Sequence, residues 1–75
     1  MNYRETFPSR LLACRSQAQL SQKALASILG ISDAAVTMME KGRRAPSFEV
    51  LCALADYFDV SLDYLVGRSD VPERR

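Results

Sequence analysis

Histidine and tryptophan are absent from these 75 residues, and cysteine occurs only at Cys14 and Cys52. Without histidine, the side chain that most often serves as general base and metal ligand near neutral pH is missing. Zinc sites draw on cysteine, histidine and carboxylates in close-spaced pairs, and neither cysteine has such a neighbour. Each falls inside a helix-like apolar pattern and reads as a small buried hydrophobe. Glycine and proline number three each, which leaves few loops and suits a helical bundle. No apolar run approaches the ~18 residues of a membrane span, and residues 1–6 are too polar for a signal peptide's apolar region. Internal repeats, strand-like alternation, a glycine-rich phosphate loop and paired carboxylates on one face are all missing. These absences argue against an enzyme, and they lead us to expect a cytoplasmic chain with no cofactor, no metal and no evident small-molecule ligand.

What is present is apolar and helical. Hydrophobic residues make up 48% and charged residues 25%, the balance of a globular chain. A chain of this length has room for one domain with a modest core, marginally stable on its own. The net charge is only +1, a small footprint for a nucleic-acid partner. Its distribution is uneven, with Lys41, Arg43 and Arg44 clustered and Asp56, Asp59 and Asp63 grouped further on, so one face should be basic.

The organising stretch runs from Leu20 to Gly42, LSQKALASILGISDAAVTMMEKG. Ser21 and Ser32 can each cap a short helix by accepting a backbone N–H. Between the two helices, Gly30 supplies the left-handed conformation that ends a helix at little steric cost. Leu25, Ala26 and Leu29 share a face of the first, spanning roughly 22–29. Ala35, Val36, Met39 and Glu40 share a face of the second, spanning roughly 33–41. Ahead of this pair, Pro8 can sit in the first turn of a helix reaching about Ala18, with Phe7, Leu11, Leu12 and Cys14 as its apolar surface. After it, Gly42 closes the helix and Arg43-Arg44-Ala45-Pro46 forms a basic loop. Ser47 caps a fourth helix to about Phe58, striped by Val50, Leu51, Leu54, Ala55 and Phe58. Ser61 caps a fifth to Val66, with Leu62 and Leu65 inward and Gly67 closing it. The expected organisation is a tail at 1–6, a helix-turn-helix domain at 7–67 and a frayed tail at 68–75.

Residues 7–67 resemble the phage repressor and Cro family, the Xre-like helix-turn-helix group. LSQKALASILGIS, VTMMEKGRRAPS and LADYFDVSLDYLVG carry the resemblance in order. It implies an all-α, lambda-repressor-like fold, a compact five-helix bundle. It also implies binding of double-stranded operator DNA as a homodimer, repression of transcription, and presentation of the second motif helix to the major groove.

The resemblance also implies residue roles. Glu40 on an inward face would be costly alone, and in similar domains an arginine of the first helix partners it; the matching residue is Arg15. Positions matching Asp33, Ala34, Thr37 and Met38 commonly read bases. Here they depart from the usual glutamine, arginine, serine and asparagine, so direct readout should be thin and shape should carry more. Asp33 can accept from a cytosine amino group or simply complement the helix dipole, and Ala34 or Thr37 can touch a thymine methyl. Ala34 and Met38 can equally form a patch facing a partner. Gln22 and Lys23 at a helix start, with Lys41, Arg43 and Arg44, are candidate phosphate contacts or ordinary solvated charge.

A dimer surface near the fifth helix would involve Tyr57, Tyr64, Leu65 and Val66, unless these merely cap the core. The competing reading is a protein-interaction or antitoxin-type module with weak or absent DNA binding.

Overall fold

Four serines start four of the helices. Ser21, Ser32, Ser47 and Ser61 all hold extended backbone, and their side chains accept from the amides of Ala24, Ala35, Val50 and Tyr64. Each cap satisfies a donor that the first helical turn leaves unpaired. The structure is a computed structural model that describes residues 3–74, Tyr3 and Arg4 by backbone alone. It contains α1 (Tyr3–Gln17), α2 (Gln22–Leu29), α3 (Asp33–Glu40), α4 (Phe48–Phe58) and α5 (Leu62–Val66), with no strand among the described residues. None of these helices is long and apolar enough to cross a membrane.

All five helices end on a left-handed residue, but only three of these are glycine. Gly30, Gly42 and Gly67 close α2, α3 and α5, while Gln19 (φ 59°) and Asp59 (φ 55°) follow α1 and α4. After α3, Arg43 N–H donates to Met38 O at 2.9 Å and Gly42 N–H to Met39 O at 3.2 Å. This paired reversal ties up the last carbonyls of the helix.

One core joins the helices. Phe7, Leu11 and Cys14 recur every three or four residues along α1 and meet Leu25 and Ala26, Val36 and Met39, Leu54 and Ala55, then Val60 and Leu65. α1 packs on α5 and α3, α2 on α3 and α4, and α4 on α5. The α2–α3 pair is thus held from behind by α1 and α4, which fixes the outer side of α3 relative to the rest.

Several expectations need correction. The helix does not wait for Pro8: α1 begins at Tyr3, and Pro8 lies inside it. Its opening turn is held by α5, because Thr6 sits so near Gly67 that a Cβ there would fall 2.3 Å from Thr6 Cγ2. Met1 and Asn2, the rest of the expected tail, lie outside the described residues. Leu12 and Leu62 are more than two-fifths exposed instead of inward, and Cys52 is only half-buried. Leu65 is fully buried, so it cannot form a dimer surface.

The residues after α5 are not frayed as far as Arg74. They fold back, with Ser61 N–H donating to Pro72 O at 2.9 Å and Arg74 bonded to Asp56 at 2.7 Å. Arg10 of α1 clasps the same segment. Its guanidinium donates to Tyr64 O at 2.7 Å, Ser69 O at 3.0 Å and Asp70 Oδ1 at 3.0 Å, and lies 4.0 Å from the Tyr64 ring centroid.

Candidate nucleic-acid interface

The outer side of α3 rests on a polar network that begins in the interior. Arg15 of α1 grips Glu40 at the end of α3 with both branches of its guanidinium, Nε to Oε2 at 2.5 Å and Nη2 to Oε1 at 3.1 Å. The Glu40 side chain is 6% exposed and that of Arg15 16%. The hydrogen bond to Glu40 pushes the already high pKa of Arg15 further up, so the guanidinium stays charged. A third donation, Nη1 to Leu20 O at 2.8 Å, ties the pair to the α1–α2 turn.

Gln22, the first residue of α2, extends this network. Its Nε2 donates to Glu40 Oε1 at 2.8 Å, and its Oε1 accepts from Thr37 Oγ1 at 2.7 Å. The side chain is turned toward α3, not toward solvent. A phosphate at this helix start would meet the first-turn backbone amides and the remaining amide hydrogen of Gln22. This internal use was not legible from sequence, because an amide at a helix start suits either role.

Asp33, Ala34 and Met38 lie exposed on α3, with Met38 40% accessible, while Thr37 is half-buried beside Gln22. Lys23, Lys41, Arg43 and Arg44 are all exposed. None of these four cations has an ion-pair partner among the described residues, whereas Arg10, Arg15, Arg68 and Arg74 are each paired with a carboxylate. The anions taken up in this way include Asp56, Asp59, Asp63 and Asp70, all from the fourth helix onward. The near-zero net charge therefore conceals a sorted surface. Positive charge stays free beside α2 and after α3, and much of the negative charge is met by arginines elsewhere.

The helix-turn-helix family model matches residues 11–65, from the middle of α1 into α5. The chain belongs to this helix-turn-helix family. Among curated relatives, it is 42% identical over 60 residues to the uncharacterized HTH-type transcriptional regulator YqaE of Bacillus subtilis, covering 80% of this chain and 52% of that protein. It is 41% identical over 59 residues to the HTH-type transcriptional regulator AnsR of the same organism, covering 79% and 51%. The chain thus spans about half the length of the curated relatives it matches. Among solved structures, the P22 c2 repressor in complex with synthetic operator 9T superposes with a TM-score of 0.74 at 32% identity, over 79% of this chain and 89% of that one. The restriction-modification controller protein C.AhdI of Aeromonas hydrophila gives 0.71 at 32% identity, over 80% and 91%. The five-helix, repressor-like architecture expected from the sequence is the one observed.

Proposed function

We propose that this chain is a sequence-specific, DNA-binding transcriptional regulator of the cytoplasm that represses by occupying operator DNA as a homodimer. In this reading α3 enters the major groove. Asp33, Ala34, Thr37 and Met38 face base edges, while the amide end of α2, Lys23, Lys41, Arg43 and Arg44 hold the flanking phosphates. The observation that carries it is the set of four exposed cations bracketing α3 that have no ion-pair partner among the described residues. The family relationship and the likeness to a repressor solved with its operator support the same placement. Two copies on half-sites one helical turn apart, about 34 Å, would double the contacts that one short helix can make.

A salt titration of binding to mixed-sequence duplex tests the electrostatic part. Each phosphate neutralised contributes about −0.9 to the slope of log K against log salt. We expect a slope reflecting several phosphates, and a shallower one, by about one phosphate each, for Lys41→Ala, Arg43→Ala and Arg44→Ala. Absence of binding even at low salt would favour a protein-interaction module instead.

A further inference from the structure

The network behind α3 decides which chemical groups α3 can offer. Thr37 Oγ1 lies 2.7 Å from Gln22 Oε1 and 3.2 Å from Asp33 O. Both neighbours are carbonyl oxygens and can only accept, so the one hydroxyl hydrogen of Thr37 is committed inward. Gln22 cannot turn its amide to release it. Nε2 donates to Glu40 Oε1 at 2.8 Å, and a flipped amide would set its oxygen against a carboxylate that Arg15 already holds in place. The constraint therefore runs unbroken from a nearly buried ion pair to the surface of the helix.

Residues 37, 38 and 41 stand three, four and seven positions after Ala34, the spacing of a single helix face. Ala34 presents a methyl group and Met38 a thioether, and both are exposed. With the Thr37 hydrogen withheld, no side chain on this face has a free donor before Lys41. Such a surface cannot read the acceptors of guanine or make a bidentate contact to adenine. The Thr37 oxygen keeps lone pairs that can only accept, and the base feature that the apolar groups of this strip complement in the major groove is the 5-methyl group of thymine.

We propose that the Ala34–Thr37–Met38 strip reads thymine 5-methyl groups, and that Gln22 is a positioning residue that holds the Thr37 hydroxyl off the bases so that its methyl meets them. This rests on α3 being the helix that enters the groove, and it names the feature recognised there.

The test uses duplexes that the full chain selects from a random-sequence pool. They are resynthesised with deoxyuridine for thymidine at one position at a time, which removes only the methyl group, and affinity is read by fluorescence anisotropy. Loss of a methyl contact should weaken binding about fourfold at one or two positions of each half-site. In Thr37→Ser the thymine-to-uracil ratio should fall to about one at one of those positions, and Thr37→Val should keep it. Gln22→Leu frees the hydroxyl and should lower the same ratio. That ratio compares two duplexes on one protein, so a loss of folded fraction leaves it unmoved. Indifference to uracil at every position, or a Thr37→Ser ratio equal to the parent's, would overturn this inference while leaving DNA binding intact. Failure to bind any pool duplex at low salt would overturn the DNA-binding reading itself.

Discussion

Arg10 and Arg15 lie five residues apart on α1 and are buried to nearly the same degree, at 19% and 16% side-chain exposure, yet they are held in opposite ways. Arg15 meets a carboxylate that is itself 6% exposed, in a two-pronged grip. Arg10 meets a carboxylate that is 98% exposed, and its enclosed partners are two backbone carbonyls and the face of Tyr64. A charge paired with a buried charge leaves a stranded partner when one member is removed. A charge held by carbonyls and a ring leaves only neutral groups behind, and an exposed ion pair contributes little in water. The α1–α3 side is thus locked by mutual dependence, and the α1–α5 side by one residue serving several neutral acceptors.

The largest expected difference between the two sides follows from this. Glu40→Ala should lower stability by about 3 kcal/mol, because it leaves the Arg15 guanidinium enclosed with a single carbonyl partner. Asp70→Ala should leave the urea midpoint unchanged within error. The double replacement Arg15→Met with Glu40→Leu should cost less than Glu40→Ala alone, since it leaves no charge behind. Equal midpoints for Glu40→Ala and Asp70→Ala would erase the contrast.

Next in size are two glycines whose backbone needs are alike and whose surroundings are not. Gly30 and Gly67 both have positive φ, at 70° and 87°. A Cβ at Gly30 meets nothing within 4 Å, whereas at Gly67 it would overlap Thr6 at 2.3 Å. Gly30→Ala should therefore cost about 1 kcal/mol for backbone strain alone. Gly67→Ala should cost about 2–4 kcal/mol, the same strain plus forced displacement of the α1 opening turn. Comparable unfolding midpoints for the two variants would mean that α1 and α5 yield freely there. Arg10→Met ranks lower, at about 1–2 kcal/mol from lost carbonyl bonds and the ring contact. Its mark should be faster amide exchange in residues 68–71, with α2 and α3 unaffected.

The asymmetry also explains what the sequence made readable. Serine caps and glycine ends are single-residue signals with a local cause, so the α2–α3 unit, α4 and the start of α5 follow from spacing. Gln19 and Asp59 perform the same reversal without the residue that announces it. The clasp by Arg10 is invisible in sequence because its main acceptors are backbone carbonyls, which every residue has. The tail after α5 looks like a polar terminus for that reason. At the candidate interface the exposed face of α3 and the basic cluster were readable as positions. The inward turn of Gln22 and Thr37 was not, since it depends on how closely α2 and α3 approach. The pairing of Arg15 with Glu40 came from family likeness, as nothing in a spacing of 25 residues points to it.

The smallest effect places a reporter between the two arginines. Burial pushes the Cys14 thiol up from its ordinary pKa, and the charge of Arg10 partly opposes that rise. A raised folded pKa means that the thiol's contribution is fully present below about pH 8.5, where the unfolded thiol begins to ionise. It is lost progressively as pH rises from there through the folded value, because ionisation then favours the unfolded chain. Urea midpoints should accordingly fall somewhat above pH 8.5, and Cys14→Ala should show a smaller fall over the same range. With Cys52→Ser as background, alkylation of Cys14 should be slow at neutral pH. It should slow further in Arg10→Met when exchange data show the helix still closed, since the opposing charge is gone. Replacing Arg15 by methionine alongside Glu40→Leu should leave the pH dependence of that alkylation where it was. If both arginine changes shifted it equally, the fields of the two clusters would overlap on α1 and the two sides would not be electrostatically separate.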